Sequence, residues 1–292
     1  MKRNDVFIFN LLGYAFVLFV AVLCLVPFLL IISGSLTEES HIFTKGYSLI
    51  PTKLSFEAYT TIFKTPGTVL RAYFVSISLT VSGAVIGLFL TAMTAFVLNS
   101  KDFKYRNRIA FYFYFTTLFS GGLTPYYIMM VKYLHIKDTF WALLLPGLFT
   151  VWYLIIMRAF YKSIPDAIFE SAKIDGASQP RIFLSIALPL SKPALATIGL
   201  FIALGYWNSW YEAMLFINNK NLIPLQYYLY KMLSSVNFAE AAMQNPKLKA
   251  VQLPKESLKM AMSVIATGPI VFLYPFVQKY FIKGMTIGAV KG

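Results

Sequence analysis

The chain has 292 residues, of which 58% are hydrophobic and 13% charged, with a formal net charge of +14. So little polar surface excludes a soluble globule and makes the bilayer the expected solvent. A nucleic-acid role is the rival explanation of the basic balance, but the Lys and Arg residues are dispersed among apolar runs and form no stripe.

Six apolar runs are long enough to cross a hydrocarbon core about 30 Å thick, which takes roughly 20 helical residues. They lie near Leu11 to Ile32, Val69 to Leu98, Ile109 to Val131, Thr139 to Phe160, Pro193 to Ile217 and Leu258 to Ile282. The expected fold class is therefore all-α, a membrane protein of six transmembrane helices. Lys2 and Arg3 precede the first run as in a secretory signal, yet the run continues past Pro27 to Ile32 and is read as a retained anchor. Cys24, the single cysteine, falls inside it, so no disulfide or cysteine metal cluster is available. His41 and His135 stand in different loops without partners at ligand spacing, and no metal site is expected. In the second run Ser76, Ser78, Thr80 and Ser82 lead to Gly83 and Gly87, a small-x3-small spacing that lets helices approach closely. Pro27, Pro146, Pro269 and Pro275 are candidate kinks.

With the N-terminus inside, one short inner connection gathers Lys101, Lys104, Arg106 and Arg108, as the positive-inside rule requires. The connection after the fifth run carries Lys220, Lys231, Lys247, Lys249 and Lys255, but long loops translocate with less regard to charge. Six spans then return the C-terminus, with Lys283 and Lys291, to the cytoplasmic side.

Between the fourth and fifth runs lies the longest cytoplasmic connection, residues 163–190. Ser163 and Asp166 flank Pro165, which suits a helix start. That helix is expected to end near Ile174, with Asp175 and Gly176 supplying a sharp turn. A second helix, Pro180 to Leu188, leads to Pro189 and Pro193, which redirect the chain toward the membrane. A helix pair that merely caps the bundle would share this periodicity. The order Glu170-Ser171-Ala172, Asp175-Gly176-Ala177, then Ile186-Ala187-Leu188-Pro189 is more specific. It resembles the cytoplasmic coupling loop of ABC-importer permeases, with Ser171 where the family pattern has a second alanine.

The resemblance covers the whole chain, which looks like a permease of the MalG-like carbohydrate-uptake family with the MetI-like transmembrane fold. The segments Tyr206-Trp207-Asn208-Ser209-Trp210-Tyr211-Glu212 and Tyr274-Pro275-Phe276-Val277-Gln278-Lys279-Tyr280-Phe281 carry it further. Phe119-Ser120-Gly121-Gly122-Leu123-Thr124-Pro125-Tyr126 is similar to the subgroup of the LplC and YtcP permeases, associated with complex oligosaccharides. The resemblance implies a core over residues 69–282, an N-terminal helix and outer loop over 1–68 packed outside it, and a cytoplasmic tail over 283–292. It also implies the plasma membrane of a bacterium, a second homologous permease, two ATP-binding subunits and an extracytoplasmic solute-binding protein. No cofactor is expected in this chain: it has no Gly-x4-Gly-Lys-Ser/Thr phosphate loop, so ATP and Mg would be held by the partner subunits and the chain is not an enzyme.

Polar and aromatic groups inside apolar runs are costly in lipid and usually face protein or a water-filled cavity, which singles out Trp207, Asn208, Tyr211 and Glu212. Aromatic faces stack on sugar rings while amide and carboxylate groups bond hydroxyls. Interfacial anchoring explains Trp and Tyr equally well. Asn208 and Glu212, four residues apart, would share one helical face. An ion-coupled secondary transporter is the alternative function, but no internal repeat or buried acidic pair supports it.

Overall fold

The computed structural model describes residues 3–243 and 255–289. Lys2, Lys247, Lys249 and Lys291 lie outside the described residues, as do the side chains of the C-terminal motif from Tyr274 to Phe281, Gln278 excepted, and of Lys283. Among the described residues the chain is helical, with one isolated antiparallel bridge between Thr37 and Leu54. In order come α1 (Arg3–Ser35), α2 (Glu39–Lys45), α3 (Glu57–Ile62), α4 (Pro66–Asn99), α5 (Arg106–Thr116) and α6 (Leu123–Ile128). A π turn (Met129–Tyr133) follows α6, then α7 (Phe140–Leu144), a 3-10 turn (Leu145–Gly147), α8 (Val151–Ser163), α9 (Asp166–Ile174) and α10 (Gln179–Ile182). A second π turn (Phe183–Ala187) joins α10 to α11 (Leu188–Leu190), before α12 (Lys192–Trp207), α13 (Tyr211–Phe216), α14 (Leu225–Met243) and α15 (Lys255–Ala289).

Two of these helices, α1 and α4, are single pieces long and apolar enough to cross a membrane, and up to four spans result if each bent pair counts as one. The first, second and sixth expected runs fall on continuous helices, α1, α4 and α15. The other three are interrupted. Run three breaks between α5 and α6, where Gly122 takes φ +83° and Ser120 Oγ accepts from its N–H at 3.2 Å. Run four bends by 45° between the α7 piece and α8, just after Pro146 and Gly147. Run five stops at Trp207 and resumes at Tyr211.

Contacts divide the chain into two compact units, Met1–Val69 with Leu229–Ile270, and Leu70–Tyr228 with Val271–Gly292. In the first, the most apolar window of α1 buries none of its residues, as expected of a helix that is hydrophobic all round and solvated by lipid. Its last turn is different. Ser35 is buried and its Oγ lies 2.8 Å from the Tyr59 hydroxyl, and a Cβ placed on Gly34 would meet Met260 Cγ at 3.1 Å. The Glu39 carboxylate then caps α15: Oε1 accepts from the N–H groups of Lys255 and Glu256 at 2.9 and 2.8 Å, and Oε2 from the Ser257 N–H and hydroxyl at 2.9 and 2.8 Å. Those donors have no partner within their own helix, and a carboxylate there also opposes the positive end of the helix dipole. Beside the cap, Glu256 accepts from Tyr47 Oη at 2.9 Å and pairs with Lys259 at 2.7 Å. The Lys259 ammonium, ahead of the Tyr47 hydroxyl, holds the Glu256 carboxyl below its ordinary value, while burial and that carboxylate push the Tyr47 phenol up to about 12.

The second unit contains the larger core. On α12 every fourth residue is buried, Ala194, Ile198, Ile202 and Tyr206, so one straight stripe faces inward. On α8 the corresponding residues are Leu154, Met157 and Tyr161. α4 presents Ser76, Leu79, Gly83, Gly87 and Thr91 to the interior. The small-x3-small pair serves two purposes: Gly83 accommodates the Tyr206 ring, and Gly87 faces the backbone carbonyl of Leu148, 2.8 Å from where a Cβ would stand. Ser76 Oγ accepts from the buried Leu225 N–H at 2.8 Å and so fixes the start of α14.

Candidate functional site

The polar connection begins where α8 ends. Pro165 is the residue before α9, with φ −58° and ψ 129°, and no side chain caps the helix. Ser163, a candidate cap by sequence, turns back instead, its Oγ donating to Phe160 O at 2.7 Å. At the other end of α9 the Gly176 N–H donates to Lys173 O and the Ala177 N–H to Ala172 O, both at 3.0 Å, with Gly176 at φ +77°. This is a Schellman stop, in which the left-handed residue lets two otherwise orphaned carbonyls find donors. The chain reverses there into α10. From Gln179 to Leu190 it runs as one helical stretch through the π turn that holds Ile186, then bends by 83° into α12. Buried Ser191 sits at the bend, its Oγ donating to Ala187 O at 2.5 Å. Leu188 and Pro189 form the last turn before it.

α9 and the π turn are anchored by aromatic contact with the end of α4. The Phe96 ring lies 6.1 Å from Phe169, 5.4 Å from Phe183 and 6.1 Å from Tyr161. Ala172, Ile182 and Phe183 are buried beneath. Two reciprocal ion pairs, Lys101 with Asp166 at 2.5 Å and Lys173 with Asp102, tie α9 to the turn between α4 and α5. Each side contributes one acid and one base. Asp166 raises the pKa of Lys101, with a smaller push from Glu170. A cleft of about 480 Å³ lies between these elements, lined in part by Glu170, Lys101, Asp102 and Ile174. Glu170 thus faces this cleft. The exposed surface of α9 holds Ser171 and, outermost, Ile174, an aliphatic side chain 86% exposed. Sequence reasoning missed Ile174, Lys101 and Asp102. Only Ile174 left a signal, an apolar residue beside the turn of a polar helix.

The second feature is a cavity of about 280 Å³ between the break in run four and the break in run five. Pro146, Gly147, Thr150 and Tyr153 line it from one side, and Tyr206 with Asn208 to Glu212 from the other. Tightening into the 3-10 turn sends the Leu148 N–H to Leu145 O at 3.3 Å and away from Leu144 O, which instead accepts the Tyr206 hydroxyl at 2.6 Å. Irregular backbone inside apolar runs is tolerated where protein or a polar cavity satisfies it, which is the situation at both breaks.

Three of the four residues singled out in run five, Asn208, Tyr211 and Glu212, line this cavity. Trp207 does not: it is buried, its ring 6.3 Å from that of Tyr73. Asn208 and Glu212 do not share a helical turn, because α12 ends with the Asn208 N–H on Leu204 O at 3.1 Å and α13 starts anew after Trp210. The cavity brings them together nonetheless. Ser209 Oγ donates to Glu212 Oε2 at 2.8 Å, and Gln226 Nε2 to Asn208 Oδ1 at 3.5 Å. Tyr206, Ser209 and Trp210 are lining residues that the sequence reading did not single out.

Residues 73–287 match the family model of the binding-protein-dependent transport system inner membrane component. The chain is 41% identical to the Protein LplC of Bacillus subtilis (strain 168), covering 98% of this chain and 95% of that one. It is 38% identical to the polygalacturonan/rhamnogalacturonan transport system permease protein YtcP of the same organism, over 98% and 99% of the two chains. Among solved structures it resembles a bacterial ABC transporter involved in the import of the acidic polysaccharide alginate, with 29% identity, a TM-score of 0.78 and coverage of 96% and 99%. A membrane protein with a MetI-like permease bundle, the chain belongs to the family of binding-protein-dependent transport system inner membrane components.

Proposed function

We propose that this chain is the permease subunit of an ATP-driven importer and forms half of the translocation pathway for a carbohydrate, an oligosaccharide in particular. The observation that carries the proposal is the α9–Gly176–α10 element, a rigid helix pair on a permease of this family that offers a partner an exposed Ile174 and Ser171. In this reading Glu170, Ser171, Ala172, Asp175, Gly176 and Ala177, with Ile186, Leu188 and Pro189 behind them, seat the element in a cleft of an ATPase subunit. Two such subunits bind ATP and Mg and do the hydrolysis; a second homologous permease completes the pathway, and an extracytoplasmic solute-binding protein delivers the sugar. Both termini and residues 163–190 face the cytoplasm of a bacterium, consistent with the basic α4–α5 connection. The carbohydrate assignment draws support from relatives named for polygalacturonan, rhamnogalacturonan and arabinooligosaccharides and from the aromatic and amide lining of the cavity.

The test is genetic and biochemical. Glu170→Lys and Gly176→Pro should leave the chain inserted but weaken co-purification of the ATPase and abolish uptake. Normal ATPase recruitment by both variants defeats the assignment, and uptake that persists in energised membranes depleted of ATP favours an ion-coupled transporter instead.

A further inference from the structure

Run four carries a cation just inside its polar end. Arg158 on α8 is half-buried, and its Nε is shut off from solvent without an acceptor. Its Nη2 donates to Asn107 Oδ1 on α5 at 3.5 Å, a long bond to a neutral group, and among the described residues no carboxylate pairs with it. The acids at this end of the bundle are engaged elsewhere, Asp102 by Lys173 and Asp166 by Lys101. A charge inside an apolar run is costly in lipid and is ordinarily answered by a partner. Here the chain itself supplies none.

The surface around Arg158 has a graded polarity. α5 and α8 lie antiparallel and side by side, since the Phe113 ring is 5.2 Å from Phe149 at one end and Asn107 meets Arg158 at the other. Residues three or four apart share a helical face. On one side of the Arg158–Asn107 contact that face continues to exposed Lys162, and on the other, toward the middle of the runs, to Ile155, 42% exposed, and Phe111, 66% exposed. Cations followed by bare apolar side chains match a phospholipid in the order of head group and acyl chain. Two plainer roles compete. The positive-inside bias explains cations in the short α4–α5 connection, but not an arginine within a run with its Nε buried. Fastening α5 to α8 explains the Asn107 contact, yet 3.5 Å lies beyond the usual length of such a bond.

We infer that Arg158 and Lys162 form a head-group site for an anionic phospholipid in the leaflet beside the α4–α5 connection, its acyl chains lying over Ile155 and Phe111. A guanidinium fork matches phosphate oxygens in pairs, and basic pockets between transmembrane helices select anionic head groups. The test is native mass spectrometry of the full-length protein with its co-purifying subunits. After delipidation it is titrated with phosphatidylglycerol or with phosphatidylcholine of the same chains, and the Kd of the first bound lipid is read. The wild type should prefer phosphatidylglycerol by about 25-fold, about fivefold for each of the two cations. Arg158→Gln, which keeps a donor for Asn107, should cut that preference by about fivefold. Lys162→Gln, at an exposed position that folding does not depend on, should do the same and decides the matter if the Arg158 variant fails to assemble. Lys132→Gln, at the opposite end of run three, should change nothing, and millimolar inorganic phosphate should not displace a lipid that is also held by its chains. Equal affinities for the two lipids, an unchanged preference in Lys162→Gln or in an assembled Arg158→Gln, an equal loss in Lys132→Gln, or displacement by phosphate overturns the inference. So does a failure to bind either lipid, the result expected if a co-purifying subunit covers this face. The carbohydrate reading stands or falls separately, because the site needs only a chain that spans the membrane.

Discussion

Tyr206 is seated against Gly83 of α4 with no space for a side chain between them, and a single methyl group tests that seat. A Cβ added at Gly83 would stand 2.1 Å from Cε2, 2.3 Å from Cδ2 and 2.5 Å from Cζ of the Tyr206 ring. Carbon atoms in contact sit roughly 3.5–4.0 Å apart, so the ring must retreat by about 1 Å or more. The ring is tethered at its far end, because its hydroxyl is bonded to Leu144 O at 2.6 Å, and a retreat pulls that bond apart. Overpacking of this kind costs about 1–3 kcal/mol, and losing the hydroxyl bond about 0.5–1.5 kcal/mol more. The preference of a helix for alanine over glycine returns up to about 1 kcal/mol. Gly83→Ala should therefore destabilise the chain by about 2 kcal/mol. Unfolding in mixed micelles, titrated with SDS and followed by circular dichroism, reads this directly. Gly13→Ala on α1, where nothing lies within 4 Å, is the control and should be neutral or slightly stabilising. Combining Gly83→Ala with Tyr206→Leu should cost less than the sum of the two single changes, since the second makes room for the first. Strict additivity, or a Gly83→Ala protein as stable as the Gly13→Ala control, refutes the close-approach argument.

Asp102→Lys should uncouple uptake from ATP by repelling Lys173 from the α4–α5 turn, and adding Lys173→Asp should restore it; these groups are exposed enough that unfolding should barely change. Failure of the double variant to recover uptake, with both proteins inserted, would remove the ion pair from the coupling element. Glu39→Gln replaces two acceptor oxygens by one and turns an amide NH₂ toward donors at the head of α15. The expected loss is about 2 kcal/mol, read as faster hydrogen exchange of the Ser257 amide, and unchanged protection would show that the cap is dispensable. Because the folded Glu256 pKa is depressed, its contribution is fully present above the ordinary 4.5 and is lost as pH falls through the lower folded value. The raised Tyr47 pKa acts oppositely, its contribution being present below 10 and lost as pH rises through about 12. Glu256→Gln should flatten the acid limb of a pH–stability profile, and an unaltered limb would reassign it to another carboxylate.

The residues that were legible in the sequence are those whose roles are local. Gly176 announces a left-handed position, Pro165 and the end of the apolar period bracket α9, and Gly83 and Gly87 at one helical spacing announce a close approach. Hydropathy located the six apolar runs for a related reason, since it averages over about 20 residues. That same averaging hid the interruptions. In run five the signal for the break was a short Asn208-Ser209-Trp210 string, polar at two positions, which an average over a whole span absorbs. In run three Gly121 and Gly122 gave a stronger hint, yet flanking Phe and Tyr residues outweighed them.

What sequence reasoning could not supply is the pairing of residues far apart in the chain, on which the α15 cap, the α9 element and the cavity each depend. Glu39 meets the head of α15 across more than 200 residues, and Lys101 meets Asp166 across all of the chain from α5 to α8. Neither partner carries a motif. Each is an ordinary exposed charge until the fold brings the other to it. The cavity is a sharper case, because its two walls are the places where two separate runs fail to be helices. Tyr206 connects them by giving Leu144 O the donor that the 3-10 turn took away. A continuous helix through run four would give Leu144 O a backbone donor of its own, and one through run five would close the gap that Asn208, Tyr211 and Glu212 line. The interruptions are therefore a precondition of the cavity, and the polar residues placed there are affordable in an apolar run only because the backbone breaks around them.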